Sequence, residues 1–299
     1  MGWVRGYLRR LSVADPGQAS AEGLRALHGA QTERVAYENI DIVLGRPPGI
    51  DPAESIERIL RGRGGYCFNL NGAFATLLAA LGYQIRWHIG AVHVAGSDPL
   101  PDEYRNHLAL TVQLDGETWM VDAGLGNALH EPMPLRSGEH RQGPFAFGLA
   151  RLPQVPDGWR FSHDPALNSR FGMDFTLGRA HWTDFAAKHE ELSTNPGSPF
   201  VRLCQVRRRD ERGADGLVGC TLHRAEGPGQ WSERELATQA DWFGAAADIF
   251  GLRLDDLTAD DRQVIWRRVR AAHQGLACRT RRRRGSRLRP EASDGESWV

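Results

Sequence analysis

The chain has 299 residues, 41% hydrophobic and 25% charged, with basic and acidic residues balanced at 37 each. That is the make-up of an ordinary globular protein, long enough for one large domain or two to three smaller ones. Neutrality argues against wholesale attraction to nucleic acid or to an anionic membrane.

Four cysteines (Cys67, Cys204, Cys220, Cys278) lie far apart with no CxxC pair, which points to neither a zinc site nor a disulfide framework. Met1 to Gly6 lack the apolar core of a signal peptide and no apolar run is long enough to span a bilayer, so a cytoplasmic location is expected. Lys188 is the sole lysine, and Ala and Gly are abundant, which reads as a GC-rich, bacterial coding bias.

Residues 1 to about 82 read as helices with short connections. Leu24 and Leu27 have helical spacing within Ala21 to Ala30, and Asp51-Pro52 looks like an N-cap followed by the first helical position. Next comes Arg63-Gly64-Gly65-Tyr66-Cys67-Phe68-Asn69-Leu70-Asn71. Beyond it Phe74, Leu77, Leu78 and Leu81 mark one face of a helix that Gly82 stops. Cys67 therefore falls in a first helical turn, where free N–H groups and the positive dipole end favour a thiolate. The Gly64-Gly65 pair permits a sharp entry and a close backbone approach.

From about residue 83 the period becomes two. Ile85 to Val94, Leu108 to Leu114 and Glu117 to Asp122 read as strands, with Asp115-Gly116 as a tight hairpin turn between the last two. Residues 131 to about 158, rich in Pro, Gly and charge, read as a crossing segment. Strands are expected near Phe171 to Leu177, Phe200 to Arg207 and Leu217 to Leu222, and helices over Asp241 to Phe250 and Asp260 to Ala272. The arginine-rich stretch 276–299 lacks a period and is expected to be a disordered, solvated tail. It has no interleaved aromatics of the kind that bind single-stranded nucleic acid.

The hairpin can be counted. With a loop of Asp115 and Gly116, Leu114 opposes Glu117 and Ala109 opposes Asp122. His107 and Asp122 then share a face as diagonal neighbours, roughly 7–8 Å apart at the backbone. The opposite face carries Leu108, Leu110, Val112, Leu114, Trp119, Val121 and Ala123 and reads as the core. The face with His107, Asp122, Thr111, Gln113, Thr118 and Met120 has chemistry to offer. A thiol nucleophile needs such a pair: a base to take its proton and a carboxylate to fix the base's tautomer. Counting does not place Cys67 beside them. His88 and His93 fall on opposite faces and make no metal pair, and no GxGxxG fingerprint is present.

The stretches RGGYCFNLN, RNHLALTVQLDGETWMVDAGLG and STNPGSPF, with AYENIDIVLG at Ala36 to Gly45 and YLRRL at Tyr7 to Leu11, resemble the arylamine N-acetyltransferase family over roughly residues 5 to 275. The resemblance implies an α+β fold: a helical bundle over 1–82 carrying the nucleophile, a β-barrel over 83–190 carrying His and Asp, and an α/β lid over 191–275, with a core like that of cysteine proteases. It implies Cys67, His107 and Asp122 as a catalytic triad and acetyl-CoA as co-substrate, without a metal. Acetyl would pass through acetyl-cysteine to an arylamine, arylhydroxylamine or hydrazine. Tyr37, Leu125, Gly126 and Phe200 match cleft positions, and Arg10, Glu38 and Arg63 match a supporting buried ionic network. A monomer or homodimer is expected, with no nucleic-acid or membrane partner.

This chain departs from the family's pattern at Tyr37, Asn69, Ala123 and Leu125. Leu125 stands where the family carries an aromatic, which touches acceptor preference and not the triad. Amide synthases that close ansamycin-type macrolactams from a carrier-bound thioester share the superfamily and form the second reading. A non-catalytic protein binding an aromatic ligand is the third, disfavoured by the intact Cys67, His107 and Asp122. A peptide-cleaving or cross-linking thiol enzyme is disfavoured by the flanking stretches.

Overall fold

The computed structural model of the chain describes residues 2–94, 105–167 and 171–286. Its first part is a helical bundle of α1 (Gly2–Leu11), α2 (Ala21–Arg34), α3 (Ile40–Val43), α4 (Pro52–Leu60) and α5 (Cys67–Ala80), with the two-residue strand β1 (Tyr37–Glu38) before α3. The helix starts follow from local chemistry. Ser20 Oγ accepts from Gly23 N–H at 3.1 Å, and Asp51 Oδ1 accepts from Ala53 and Glu54 N–H at 2.8 and 3.3 Å, which satisfies donors that a helix end otherwise leaves unpaired. α5 differs: every residue from Cys67 to Ala75 is buried, as expected of an apolar helix enclosed by its neighbours.

Eight antiparallel strands follow: β2 (Gln84–Val94), β3 (His107–Leu114), β4 (Glu117–Val121), β5 (Met133–Pro134), β6 (Gly138–Gln142), β7 (Phe145–Arg151), β8 (Gly158–Ser162) and β9 (Phe171–Thr176). In the order β5-β4-β3-β2-β9-β8-β7-β6 they form a nearly closed barrel. The counted hairpin register holds, from Leu114 opposite Glu117 to Leu110 opposite Val121. Its turn residues Asp115 and Gly116 both have positive φ, 50° and 79°, which matches the twist of the flanking strands.

Both faces of this hairpin are covered. Leu108, Leu110, Val112, Trp119 and Val121 pack on the helical bundle. The opposite face is packed as well: Ala109 and Met120 lie inside the barrel with Phe145, Phe147, Phe161, Met173 and Phe175.

The third part contains α6 (Ala186–Thr194), α7 (Pro199–Arg202), β10 (Gln205–Arg209), β11 (Ala214–Val218), β12 (Thr221–Gly227), β13 (Gln230–Glu235), α8 (Gln239–Asp248) and α9 (Ala259–Ser286). Its antiparallel sheet has the order β1-β10-β11-β12-β13, so the first strand of the chain completes this sheet. Val206, Leu217, Trp242, Phe250 and Ile265 fill the core between this sheet and its helices. Among the described residues no helix is long and apolar enough to cross a membrane.

Four expectations need correction. The supposed crossing segment contains β5, β6 and β7 and ends at β8; Phe145, Phe147 and Leu149 alternate inward there, a period masked by the surrounding Gly, Pro and charge. Phe200 is helical and not in a strand, because Ser198 caps α7 and Pro199 takes its first position. Leu217 to Leu222 spans a turn between β11 and β12, at Gly219 with φ 57°. The arginine-rich stretch is helical through Ser286, as a continuation of α9; residues 287–299 lie outside the described ones.

A buried ionic network joins the bundle to the third part. Glu38 Oε1 lies 3.1 Å from Arg58 Nη2 and 3.3 Å from Arg63 Nη2, and Asp41 Oδ2 lies 2.7 and 3.1 Å from the same two arginines. Arg63 Nη1 reaches Asp256, between α8 and α9, at 2.6 Å. Glu38 Oε2 also accepts from Ile40 N–H at 2.7 Å. Removing one member of such a set leaves buried charge uncompensated. Glu38→Gln is expected to lower stability by about 3–5 kcal/mol in urea unfolding; a loss below about 1 kcal/mol, the surface-pair range, would show that the network does not hold the two parts together.

Candidate active site

Cys67 opens α5 one residue after the Gly64-Gly65 pair, with Tyr66 between them. Neither glycine tolerates a side chain: a Cβ on Gly64 would lie 1.9 Å from the Ala36 carbonyl oxygen, and one on Gly65 would lie 2.5 Å from Asn69 Cβ. The pair lets the loop lie against β1, where Glu38 N–H donates to the Gly65 carbonyl at 2.9 Å. The entry into α5 is thereby fixed, and Cys67 Sγ stands 3.6 Å from the Asn106 carbonyl oxygen.

His107 begins β3 and Asp122 follows the end of β4. Both are buried, with His107 Nε2 2.7 Å from Asp122 Oδ2. The other ring nitrogen, Nδ1, is left for the Cys67 thiol. Burial alone would lower the His107 pKa. The Asp122 carboxylate outweighs it, through charge and hydrogen bond together, and Cys67 adds to the effect; the imidazolium is held up to about 10.

Asn71 joins this pair to Cys67. Lying one turn further along α5, its Nδ2 donates to the Leu108 carbonyl at 2.7 Å and to Asp122 Oδ1 at 2.9 Å, while its Oδ1 accepts from Ala123 N–H at 2.9 Å. Gly124 N–H donates to Asp122 Oδ1 at 2.8 Å. A Cβ on Gly124 would lie 2.9 Å from Cys67 Cα, so only glycine lets this loop approach the cysteine so closely. Behind Asp122, His28 Nε2 accepts from its backbone N–H at 3.2 Å and His28 Nδ1–H donates to the His130 carbonyl at 2.9 Å. Burial holds His28 neutral, its pKa pulled down to about 4.

Cys67 and His107 open on a cavity of about 60 Å³. Tyr37, Leu125 and Phe200 line it, as do His163, Gln205 and Arg207. Gly126 lies behind the wall, with its Cα side facing Tyr37 and Arg207.

A family model for N-acetyltransferases matches residues 20–259. The chain is 31% identical over 205 residues to the arylamine N-acetyltransferase / N-hydroxyarylamine O-acetyltransferase of Salmonella typhimurium, covering 64% of this chain and 72% of that one. The chain belongs to the arylamine N-acetyltransferase family. It is also 29% identical to the arylamine N-acetyltransferase of Escherichia coli over 87% of this chain and 93% of that one. The solved arylamine N-acetyltransferase from Mycobacterium abscessus superposes with a TM-score of 0.77 at 26% identity, over 89% of this chain and 94% of that one.

Within this member of the arylamine N-acetyltransferase family, the structure brings together most of the residues singled out in the sequence. Cys67, His107, Asp122, Tyr37, Leu125 and Phe200 converge on one site, and Glu38 and Arg63 meet in the ionic network. Arg10 does not join them. It lies on α1 and forms no ion pair among the described residues; its buried Nε and Nη2 lack hydrogen-bond partners. Arg58, Asp41 and Asp256 complete the network in its place.

Sequence reasoning passed over Asn71, Asn39, His28, His163 and Arg207. Asn71 at four residues past Cys67 carried a usable signal, since i and i+4 share a helix face. Asn39 donates through Nδ2 to the carbonyls of Phe200 and Leu203 at 2.7 and 2.8 Å and accepts from Gln205 N–H at 2.8 Å. No local pattern announces such long-range bonds. Among the described residues no cluster of His, Cys, Asp and Glu is arranged to hold a metal ion.

The raised His107 pKa has a signed consequence for stability. Above about 6.5, the ordinary histidine value, the folded state holds a proton that the unfolded state has released. The His107–Asp122 contribution is full below that pH and is lost as pH rises through about 10. Urea unfolding at pH 6, 8 and 10 should be compared for Cys67→Ala and Cys67→Ala/His107→Gln, so that both proteins lack the thiol. The stability gap is expected to shrink steadily with pH; a gap independent of pH would refute the imidazolium–carboxylate pair.

Proposed function

We propose that the chain transfers acetyl from acetyl-CoA to an arylamine, arylhydroxylamine or hydrazine through an acetyl-Cys67 intermediate. The observation that carries this reading is the His107–Asp122 bond of 2.7 Å, opening with Cys67 on one cavity. Family membership supplies the donor and acceptor classes. In this reading residues 1–82 carry the nucleophile, 83–190 the base and carboxylate, and 191–275 close over them. Cellular acetyl-CoA supports a cytoplasmic place of action.

In the first half-reaction the Cys67 thiolate attacks the thioester carbonyl, forming a new C–S bond as the bond to CoA breaks. The leaving CoA thiolate takes the proton from the His107 imidazolium. In the second, the acceptor nitrogen attacks the acetyl-Cys67 carbonyl, its proton passes to His107, and the Cys67 thiolate leaves, restoring the ion pair. Asp122 holds the tautomer and favours the charged ring. The Cys67 backbone N–H, in the first turn of α5, is a donor for the tetrahedral oxyanion.

The test is intact mass and peptide mapping after brief exposure to acetyl-CoA without amine. One acetyl group on the Cys67 peptide, discharged by an arylamine and absent in Cys67→Ala, is the expected result. No acetylation of a folded protein would sink the reading. Asp122→Asn is expected to keep the fold and slow acylation by about 10³–10⁴-fold, because it presents the wrong tautomer; near-normal rates would remove Asp122 from the triad.

A further inference from the structure

The wall of the cavity contains a cation that the acetyl-transfer steps above do not use. β10 sends Gln205 and Arg207 to the same face, and both line the cavity. Arg207 Nη2 donates to Gln205 Oε1 at 2.8 Å and Nη1 to Asn127 Oδ1 at 3.5 Å. Both acceptors are neutral amides. The buried arginines of the ionic network have carboxylates at ion-pair distance. Arg207 has none among the described residues.

The side chain is nonetheless deliberately accommodated. Gly126 has φ 74°, and a Cβ there would press to 3.2 Å on both Arg207 Cδ and Tyr37 Cγ. His163 stands on the same wall with its Nδ1 unpartnered. Burial keeps its pKa down near 3, and the charges of Arg207 and His107 reinforce this. A poorly solvated guanidinium beside a neutral imidazole and two amides lacks only an anion.

We infer that Arg207, with Asn127, Gln205 and His163, forms a carboxylate-recognition wall, so that the preferred reaction partner carries a carboxylate within a few bonds of the reacting atom. The inference rests on the acyl-transfer reading and narrows its substrate class. Two partners present that chemistry: an aromatic amine bearing a ring carboxylate, or a thioester donor of a short dicarboxylic acid. The phosphates of CoA do not, because the pantetheine arm holds them far from a thioester seated at Cys67.

Two ratios separate the sources. One is kcat/KM for 4-aminobenzoate over its methyl ester with acetyl-CoA as donor. The other is the rate of Cys67 acylation by malonyl- or succinyl-CoA over that by acetyl-CoA, read by intact mass. At least one ratio is expected to exceed unity by about tenfold or more and to fall by about 10- to 100-fold in Arg207→Gln, the range for losing a charge-assisted bond. Arg207→Lys should retain part of it. Wild-type ratios at or below unity for both pairs overturn the wall even if the variants fail to fold. So do ratios that Arg207→Gln leaves unmoved, including the case in which only the KM for acetyl-CoA rises. Acetyl-Cys67 formed normally with neither ratio raised rejects the wall alone, whereas no acylation by any donor rejects the acyl-transfer reading beneath it.

Discussion

The site depends on the three hydrogen bonds of Asn71. A cysteine on a helix and a His–Asp pair on a hairpin belong to different folding units, and burial alone does not fix their separation to the fraction of an ångström that proton transfer requires. Asn71 binds the Leu108 carbonyl, the Asp122 carboxylate and the Ala123 amide from the same helix that starts at Cys67. It thus references Cys67, His107 and Asp122 to one rigid element. Gly124 sets the other side of the gauge by resting on the Cys67 backbone.

Around this centre the three parts of the fold hold each other through adjacent residues of one short stretch. Tyr37 lines the cavity, Glu38 joins the buried arginines, and Asn39 holds the segment that carries Phe200 and Gln205. β1 itself forms the edge of the lid sheet. The third part of the fold is therefore anchored beside Cys67 by backbone pairing, charge and amide bonds at once. Tyr66, the residue before the cysteine, adds an edge-to-face contact with Phe200 at 5.3 Å.

What was legible in the sequence was what local periodicity and tight turns encode. The start of α5, the hairpin register and the shared face of His107 and Asp122 followed from counting, because Asp-Gly admits few turns. Proximity of Cys67 to that pair was not countable; family resemblance supplied it, and the Asn71 bonds explain it. The strands of the barrel's far side were missed because Gly and Pro at their edges imitate a loop, while Phe145, Phe147 and Leu149 show their period only once the barrel interior exists to receive them. Arg10 and Arg58 looked alike as charged helical residues; only the fold decides which one meets a carboxylate.

His28 gives the protein an acid limit of its own. Its ring accepts the backbone N–H of Asp122 only while neutral, and burial makes it surrender its proton down to about 4. As pH falls from about 6.5 toward that value, the unfolded chain gains this proton first and folding weakens. When the ring finally charges, the same event removes the acceptor that steadies Asp122 from behind. Protonation of His28 therefore weakens the fold and withdraws support from the Asp122 backbone together, through a side chain that does not line the cavity.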